Sequence, residues 1–448
     1  MSDLYHDSIY AWPQPVDSYW EANDGAPVRG CDALEGDADC DVAVIGGGYT
    51  GLSAALHLAG EEGVEVRVLE AGAPGWGASG RNGGICGIGA TKLGPDALVA
   101  RFGADETRRF FAAGIEAVEL VKGIAADEGI DIDARGDGDL CVAHRRNRVA
   151  GLRAEAESLR AVTGLAYEAW SRDALAERGF RGPEAHGALY IPVGFGLNPL
   201  KYVRGLARAA LRRGAKIHGE SRVTGWSREG GRHRLVTPRG SLRARRVLVA
   251  TNGFTRDDLN PALRGRLLPV LSNIVTTRPL TAEERAAQGW CTDLPVYDSR
   301  KLLFYFRMLG DGRFLFGARG GSDASPAGAR RMRAWMLRRL GEMFPAWKDV
   351  EVSHFWRGLI CMSPRLTPHL GRLDGDASVF HSLAYHGSGV AMATWSGRAM
   401  AREIAGRANR SPIPAVMSQP LERFPLPGLR LWYLRAAYAG YALRDEYT

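Results

Sequence analysis

The chain has 448 residues, enough for two domains, and its 45% hydrophobic content is that of an ordinary folded protein. The formal net charge is +8, but only 6 of the 58 basic residues are Lys and the Arg residues are scattered, so the basic stripe of a nucleic-acid-binding protein is missing. Cys31, Cys40, Cys86, Cys141, Cys291 and Cys361 lie far apart with no C-x-x-C, which excludes a cysteine metal site or disulfide framework and fits reduced cytoplasmic thiols.

The first residues, MSDLYHDSIYAWPQPVD, carry acids and prolines where a secretion signal needs a basic and then an apolar stretch. No run of 18 apolar residues occurs, so no membrane-spanning helix is expected. Residues 1–39 read as an arm packed on the surface through Trp12, Tyr19 and Trp20, with a lid as the alternative.

The stretch from Cys40 to Gly89 carries the clearest chemistry. Asp41-Val-Ala-Val-Ile45 is a continuous apolar run, the pattern of a strand buried on both faces. Gly46, Gly48 and Gly51 follow in G-x-G-x-x-G spacing, with Tyr49 and Thr50 inside the motif and an apolar helix continuing to Leu58. Gly46 permits the tight turn, Gly48 lets the backbone approach a pyrophosphate, and Gly51 lets the helix pack close to the strand. The helix N-terminus would then face the phosphates. A second strand, Glu65 to Leu69, ends in Glu70, 19 residues after Gly51, where a carboxylate can bond ribose hydroxyls and repel a 2′-phosphate. Eight glycines follow between Ala71 and Gly89. That is too many for the helix of a nicotinamide-binding unit, and it suits backbone lying against a long flat ligand. FAD is the expected cofactor.

The segments GGGYTGLSAAL, LEAG and GWGASGRNGG resemble the N-terminal signature of the D-amino acid oxidase and sarcosine oxidase superfamily. The last of them is similar to its gamma-glutamylputrescine oxidoreductase-like members. The resemblance implies an α/β chain: a doubly wound FAD-binding domain, a glutathione reductase-like variant of the Rossmann fold, interleaved with an α+β substrate domain built on a mixed sheet. The FAD domain is expected from residues 40–95, 195–255 and 350–410, and the substrate domain from 96–194 and 256–349. A tail, 411–448, is expected to pack on the surface. FAD contacts are implied at Ala71, Ala78, Ser79, Arg81, Asn82, Gly83 and Gly84.

Further along, the periodicity predicts helices over Glu106–Ile124 and Arg148–Val162, with a strand at Asp139–Ala143. Asn198-Pro199 reads as an N-cap with Pro at the first helical position, opening a helix to about Arg213. Strands are predicted at Lys216–Trp226, His233–Val236 and Arg246–Ala250. The resemblance makes Val223 an adenine contact, and Ala250, Thr251, Asn252 and Gly253 the return to the FAD domain. Leu267–Arg278, Leu302–Arg307 and Arg313–Phe316 read as strands of the second sheet, the latter two joined by an Asp311–Arg313 turn. Pro326–Met343 reads as a basic helix, and the Leu- and Tyr-rich Phe424–Tyr447 as a helix on the protein's own surface.

Tyr385-His-Gly-Ser-Gly-Val390 is a Gly-rich loop feeding a helix. By resemblance Gly387, Ser388, Gly389 and Val390 meet the flavin, although His386 and Ser388 exchange the Ser and His usual there. His386 reads either as a pocket residue or as a cap. Tyr305, Arg307, Trp356 and His386 are the candidate catalytic residues, with Asp298 and Arg319 as further pocket candidates.

The resemblance implies hydride transfer from a carbon beside nitrogen, giving an imine that water hydrolyses. Glycine oxidase-like members clamp an α-carboxylate with an Arg in a W-x-G-L-R segment; here Trp356-Arg-Gly-Leu-Ile360 puts Ile360 in that position. Arg357 would point to the opposite face of the strand. A small-molecule amine is therefore expected as substrate, whether primary, N-substituted, gamma-glutamylated or a polyamine. A biosynthetic flavoenzyme and a decayed flavin-binding subunit are the alternatives. Cys361-Met362 imitates the flavin-attachment piece of sarcosine oxidases, but the register falls at Gly358, so FAD is expected to be non-covalent. Lys301 and Arg307 are the nearby cations, leaving oxygen or another electron acceptor, and the oligomeric state, open.

Overall fold

The computed structural model describes residues 4–23, 26–61 and 63–447; parts of the predicted arm and the last residue of the tail lie outside these. In chain order the first elements are α1 (Tyr19–Asn23), β1 (Gly36–Ile45), α2 (Tyr49–Gly60), β2 (Val66–Leu69), β3 (Ile85–Cys86), α3 (Pro95–Asp127), β4 (Asp139–Val142) and α4 (Val149–Thr163). Then come β5 (Glu168–Trp170), α5 (Arg172–Arg178), β6 (Ala188–Ile191), β7 (Phe195–Gly196), α6 (Pro199–Arg212), β8 (Lys216–His218), β9 (Gly225–Glu229), β10 (Arg232–Val236) and β11 (Gly240–Val249). The second half holds β12 (Leu268–Pro279), α7 (Ala282–Ala287), β13 (Val296–Asp298), β14 (Phe304–Met308), β15 (Arg313–Arg319), α8 (Pro326–Met343) and β16 (Val352–Met362). β17 (His369–Leu373), β18 (Asp376–Leu383), α9 (Val390–Ala405) and α10 (Arg430–Tyr447) complete the chain.

The first sheet runs β17-β18-β11-β1-β2-β8, parallel from β18 to β8, with β17 added antiparallel and the β9–β10 ribbon attached to β11. Alternation along β1 accounts for its two buried faces. Val42 and Val44 pack with α2, α6 and α9, while Ala43 and Ile45 pack with Leu235, Leu242 and Val249. α2 and α9 touch closely: a Cβ on Gly397 would overlap the carbonyl oxygen of Thr50, and Ser53 donates to the Thr394 carbonyl at 2.7 Å.

The second sheet, β16-β12-β15-β14-β13-β4-β6-β5, is mixed because β13 and β4 run parallel while its other neighbours are antiparallel. Phe304, Phe306, Phe314 and Phe316 point to one face, against Phe344 and Trp347. The other face, with Ile274, Leu315 and Trp356, packs on the first domain.

Several sequence expectations change. Residues 352–362, read with the FAD segments, form β16 of the second sheet, because the whole strand pairs with β12. The strand read over Lys216–Trp226 is two strands: after β8 the backbone turns at Glu220, φ +46°, and Ser221 N–H bonds the Glu70 carbonyl at 2.7 Å. The helix read from Glu106 begins at Pro95 and is broken at Gly103, where φ is +83°. The arm is built into the protein, with Tyr19 and Trp20 buried and the Trp20 indole donating to the Asn82 carbonyl at 3.0 Å.

Candidate active site

A continuous cavity of about 1200 Å³ runs from the end of β1 to the second sheet, beyond the roughly 300–1,000 Å³ of an ordinary small-molecule cleft. Glu70, Ala71, Arg222 and Val223 line it on the first domain's side, Gly46, Gly48 and Ser79 follow, and Ser272, Tyr305, Arg319 and Ile360 line it from the second sheet.

The glycine turn is shaped by close approach. Gly46 has φ +110°, and a Cβ there would stand 2.8 Å from the Ala250 carbonyl oxygen; a Cβ on Gly51 would overlap Gly46 itself. Gly48 begins α2 without a side-chain cap, so the helix opens on the cavity at Gly48, Tyr49 and Thr50. Ser79 Oγ accepts from Tyr49 N–H at 3.0 Å and would lie 2.8 Å from a Cβ on Gly48. Glu70 accepts from the N–H groups of Gly47 at 2.5 Å and Gly72 at 3.0 Å. Burial pushes its carboxyl up, and these N–H groups pull it back. A bare helix N-terminus, a buried carboxylate at Glu70, 19 residues after Gly51, and a long cavity with glycine in its wall fit FAD.

Of the predicted FAD contacts, Gly51, Gly84 and Gly253 stand behind the cavity wall, and the others line it. Gly84, φ +69°, fits against the Leu197 carbonyl, and a Cβ on Gly253 would lie 3.1 Å from the carbonyl oxygens of Leu359 and Ile360. Arg81 lines the cavity but spends its donors on the carbonyls of Trp76, Gly77 and Arg357, stacked 4.2 Å over the Trp76 ring. Burial lowers its pKa to about 9.

The four catalytic candidates separate. Tyr305 lines the cavity, its OH 3.0 Å from Ser272 Oγ and its ring against Gly83. Arg307, Trp356 and His386 do not line it. Arg307 is buried behind the wall, donating to the carbonyls of Gly83 at 2.9 Å and Leu197 at 2.6 Å. The Trp356 indole donates to the Arg81 carbonyl at 2.7 Å. His386 is fully buried and turned toward Ser363 and the Thr367 carbonyl, and burial lowers its pKa to about 3. Its φ of +55° lets the backbone carry Gly387 and Ser388 into the cavity while the ring points away.

Asp298 lies at the wall, engaged by Arg300 and the Phe304 N–H, with its carboxyl raised by burial to about 6. Arg319 faces the cavity, one Nη donating to the His386 carbonyl at 3.3 Å.

Other lining residues escaped the sequence reading. Lys92 lies in the cavity wall, its pKa pushed well below normal by burial and then by Arg319 and Lys301. Its signal was one of only 6 lysines standing inside a glycine-rich stretch. Asp139 and Tyr297 line the cavity from β4 and β13, and neither had any sequence signal beyond strand pattern. α10 contributes Leu434, Tyr438 and Tyr441, and the arm contributes Trp12, 4.9 Å from Trp76. The tail packs Leu434 and Tyr438 against Leu268, Val270 and Ile360. Among the described residues no helix is long and apolar enough to cross a membrane.

The DAO family profile, FAD dependent oxidoreductase, matches residues 41–403. The gamma-glutamylputrescine oxidoreductase of Escherichia coli (strain K12) is 31% identical over 431 residues, covering 95% of this chain and 96% of that protein. A probable oxidoreductase OrdL of Rhizobium meliloti (strain 1021) is 30% identical over 444 residues, 97% of this chain and 100% of that one. Among solved structures, the glycine oxidase of Geobacillus kaustophilus superposes with a TM-score of 0.72 at 21% identity, covering 87% of this chain and 100% of the other, which establishes the fold.

Proposed function

The chain belongs to the DAO family of FAD-dependent oxidoreductases, and from that membership we propose that it oxidises the C–N bond of an amine lacking an α-carboxylate. Bound FAD supplies the hydride acceptor. The product imine is hydrolysed by water. The observation that carries the substrate reading is the wall at Ile360. An apolar side chain lines the cavity there, while Arg357 is turned away, with Nε on Asn273 Oδ1 at 3.0 Å and one Nη on the Asp323 carbonyl at 2.8 Å. A carboxylate in a dry pocket needs a paired cation, and without one its burial costs several kcal/mol.

The remaining residues have assignable tasks. Arg319 lies beside Gly387, at the loop that opens α9, so its charge and the helix N-terminus oppose negative charge developing nearby. Lys92, held toward its neutral form, takes the proton that an ammonium substrate sheds, leaving the amine with its lone pair. FAD is held non-covalently: burial raises the Cys361 thiol far from thiolate, and Gly358 offers no sulfur. Gamma-glutamyl amines, suggested by the name of the E. coli relative, and polyamines are the first compounds to test.

The test is anaerobic single-turnover reduction with substrate pairs differing only in the α-carboxylate. The amine is expected to reduce the cofactor at least about tenfold faster, the equivalent of leaving one buried charge poorly paired. An amino acid that outpaces its decarboxylated partner would overturn the reading, and Arg319→Ala would then show whether Arg319 is the substitute clamp.

A further inference from the structure

Asp139, the first residue of β4, is a buried carboxyl without a counter-ion. It is 3% exposed, its Oδ1 has no hydrogen-bond partner among the described residues, and it lines the large cavity. Two glycines make room for it. A Cβ on Gly87 would overlap Asp139 Oδ2, and one on Gly194 would lie 2.8 Å from that oxygen. Gly87 itself lines the cavity, so the carboxyl stands where the wall carries no side chain of its own. Burial alone drives its pKa well above normal, with no cation offsetting it.

The surroundings suit a cation. Tyr297 lines the cavity with aromatic surface and feels the charges of both Asp139 and Glu155. Glu155, on α4, lines the cavity as well. Lys92 is acted on by Arg319 and Lys301, and Lys301 acts on Glu155 as well, whereas no cation offsets Asp139. In the second sheet β4 is two strands from β14, which carries Tyr305, and three from β15, which carries Arg319. At about 4.8 Å per strand, plus the offset along the chain, Asp139 lies on the order of 10 Å from Tyr305. A buried polar group left unpartnered costs stability, and such groups are kept where a ligand completes them.

We propose that Asp139 is a subsite for the second, non-reacting ammonium of a diamine substrate, held three strands across the second sheet from Arg319. The inference rests on the amine reading above and narrows it: the substrate carries two cationic nitrogens, one oxidised and one bound.

The test uses the FAD-loaded enzyme and compares n-alkylamines with α,ω-diamines of equal chain length, from four to eight carbons, as probes chosen for the distance above (roughly 10 Å). In the parent protein the diamine is expected to saturate flavin reduction at a concentration at least about tenfold lower than the monoamine, as a charge-assisted contact predicts. Asp139→Asn, nearly isosteric, should erase that preference by raising the diamine's half-saturating concentration to the monoamine's, and Glu155→Gln should retain most of it. If Asp139→Asn does not fold, Asp139→Ser takes its place.

Calorimetric binding of 1,4-diaminobutane gives a second readout without turnover, with binding expected to be lost in the Asn variant. A diamine preference absent from the parent, or persisting in Asp139→Asn, would overturn the subsite while leaving amine oxidation intact. If no amine reduces the flavin, the amine reading fails by itself, and calorimetry still decides whether Asp139 binds the dication.

Discussion

Glu70 Oε2 accepts a 2.5 Å hydrogen bond from the backbone N–H of Gly47, tying the end of β2 to the turn that ends β1. A Cβ on Gly47 would lie 3.0 Å from Glu70 Cβ, so carboxylate and turn are in direct contact. One side chain therefore holds the shape of the glycine turn, and we propose that its remaining lone pairs accept from a ribose of FAD. Glu70→Ala should weaken FAD binding by about 1–3 kcal/mol, the worth of charge-assisted bonds lost with no replacement. Titration of the apoprotein with FAD measures it. Unchanged affinity would mean the carboxylate serves the turn alone.

Arg307 and Tyr305 lie on one strand two residues apart, yet only Tyr305 reaches the cavity. Arg307 holds Gly83 and Leu197, joining the second sheet to the loop behind the wall, and its pKa is lowered by burial to about 10. Arg307→Met should cost about 2–4 kcal/mol, since two buried carbonyls lose a charged donor. Substrate preference should stay as in the parent. Thermal melting and substrate profiling together separate this from a catalytic role, in which selectivity or limiting rate would change at constant stability.

The first domain was legible because its constraints are local. Gly46, Gly48, Gly51 and Glu70 lie within 25 consecutive residues, and a strand, turn and helix leave little freedom between them. The second-sheet side of the cavity was legible only in part: Ile360 and Tyr305 came from the resemblance, whereas Tyr297 and Asp139 join them from two further strands whose order no local pattern reports. His386 shows a further limit. Its place in a Gly-rich loop suggested a pocket residue, but a positive φ at that position turns the ring into the protein and presents its neighbours instead. The mistaken strand through Glu220 has a similar origin, since nothing in KIHGESRVTGW marks the turn except its two glycines, and the positive φ falls on Glu220 instead.

Lys92 predicts a pH signature. Burial, with Arg319 and Lys301 adding to it, depresses the pKa of its ammonium, so the side chain is unprotonated and able to take a proton down to a lower pH than an ordinary lysine. With Lys92→Met, only the free-base amine in solution reacts, and that fraction falls about tenfold per pH unit below the substrate's own pKa. Flavin reduction at subsaturating amine should therefore fall more steeply toward low pH in the variant than in the parent. Stopped-flow reduction across pH 6 to 10, roughly the span between unperturbed His and Lys values, is the measurement. Parallel profiles would remove Lys92 from proton transfer.

Asp445 fastens the roof of the cavity. Its carboxylate accepts from the N–H groups of Lys301 at 3.1 Å and Leu302 at 3.0 Å, joining the last turn of α10 to a loop that lines the cavity. The inner face of α10 adds Leu434 and Tyr438 on β12 and β16, whereas Trp432 and Leu443 are 62% exposed. Buried Arg430 fixes the start of the helix, pairing with Asp257 and donating to the Leu267 carbonyl at 2.6 Å, so the Asp445 bonds matter most at its last turn. Asp445→Ala leaves both N–H groups without their acceptor and should cost about 1–3 kcal/mol, felt mainly at the last turn of α10, which lies far along the helix from the Arg430 anchor. Hydrogen exchange over residues 430–447 should accelerate by roughly tenfold or more for that loss, with a smaller change in the melting of the whole protein. Bound flavin should also become more accessible to a soluble quencher such as iodide. If exchange in α10 stays at the parent's rate, the apolar seam and the Arg430–Asp257 pair hold the roof without Asp445, and Leu434→Ala is the variant that should then loosen it.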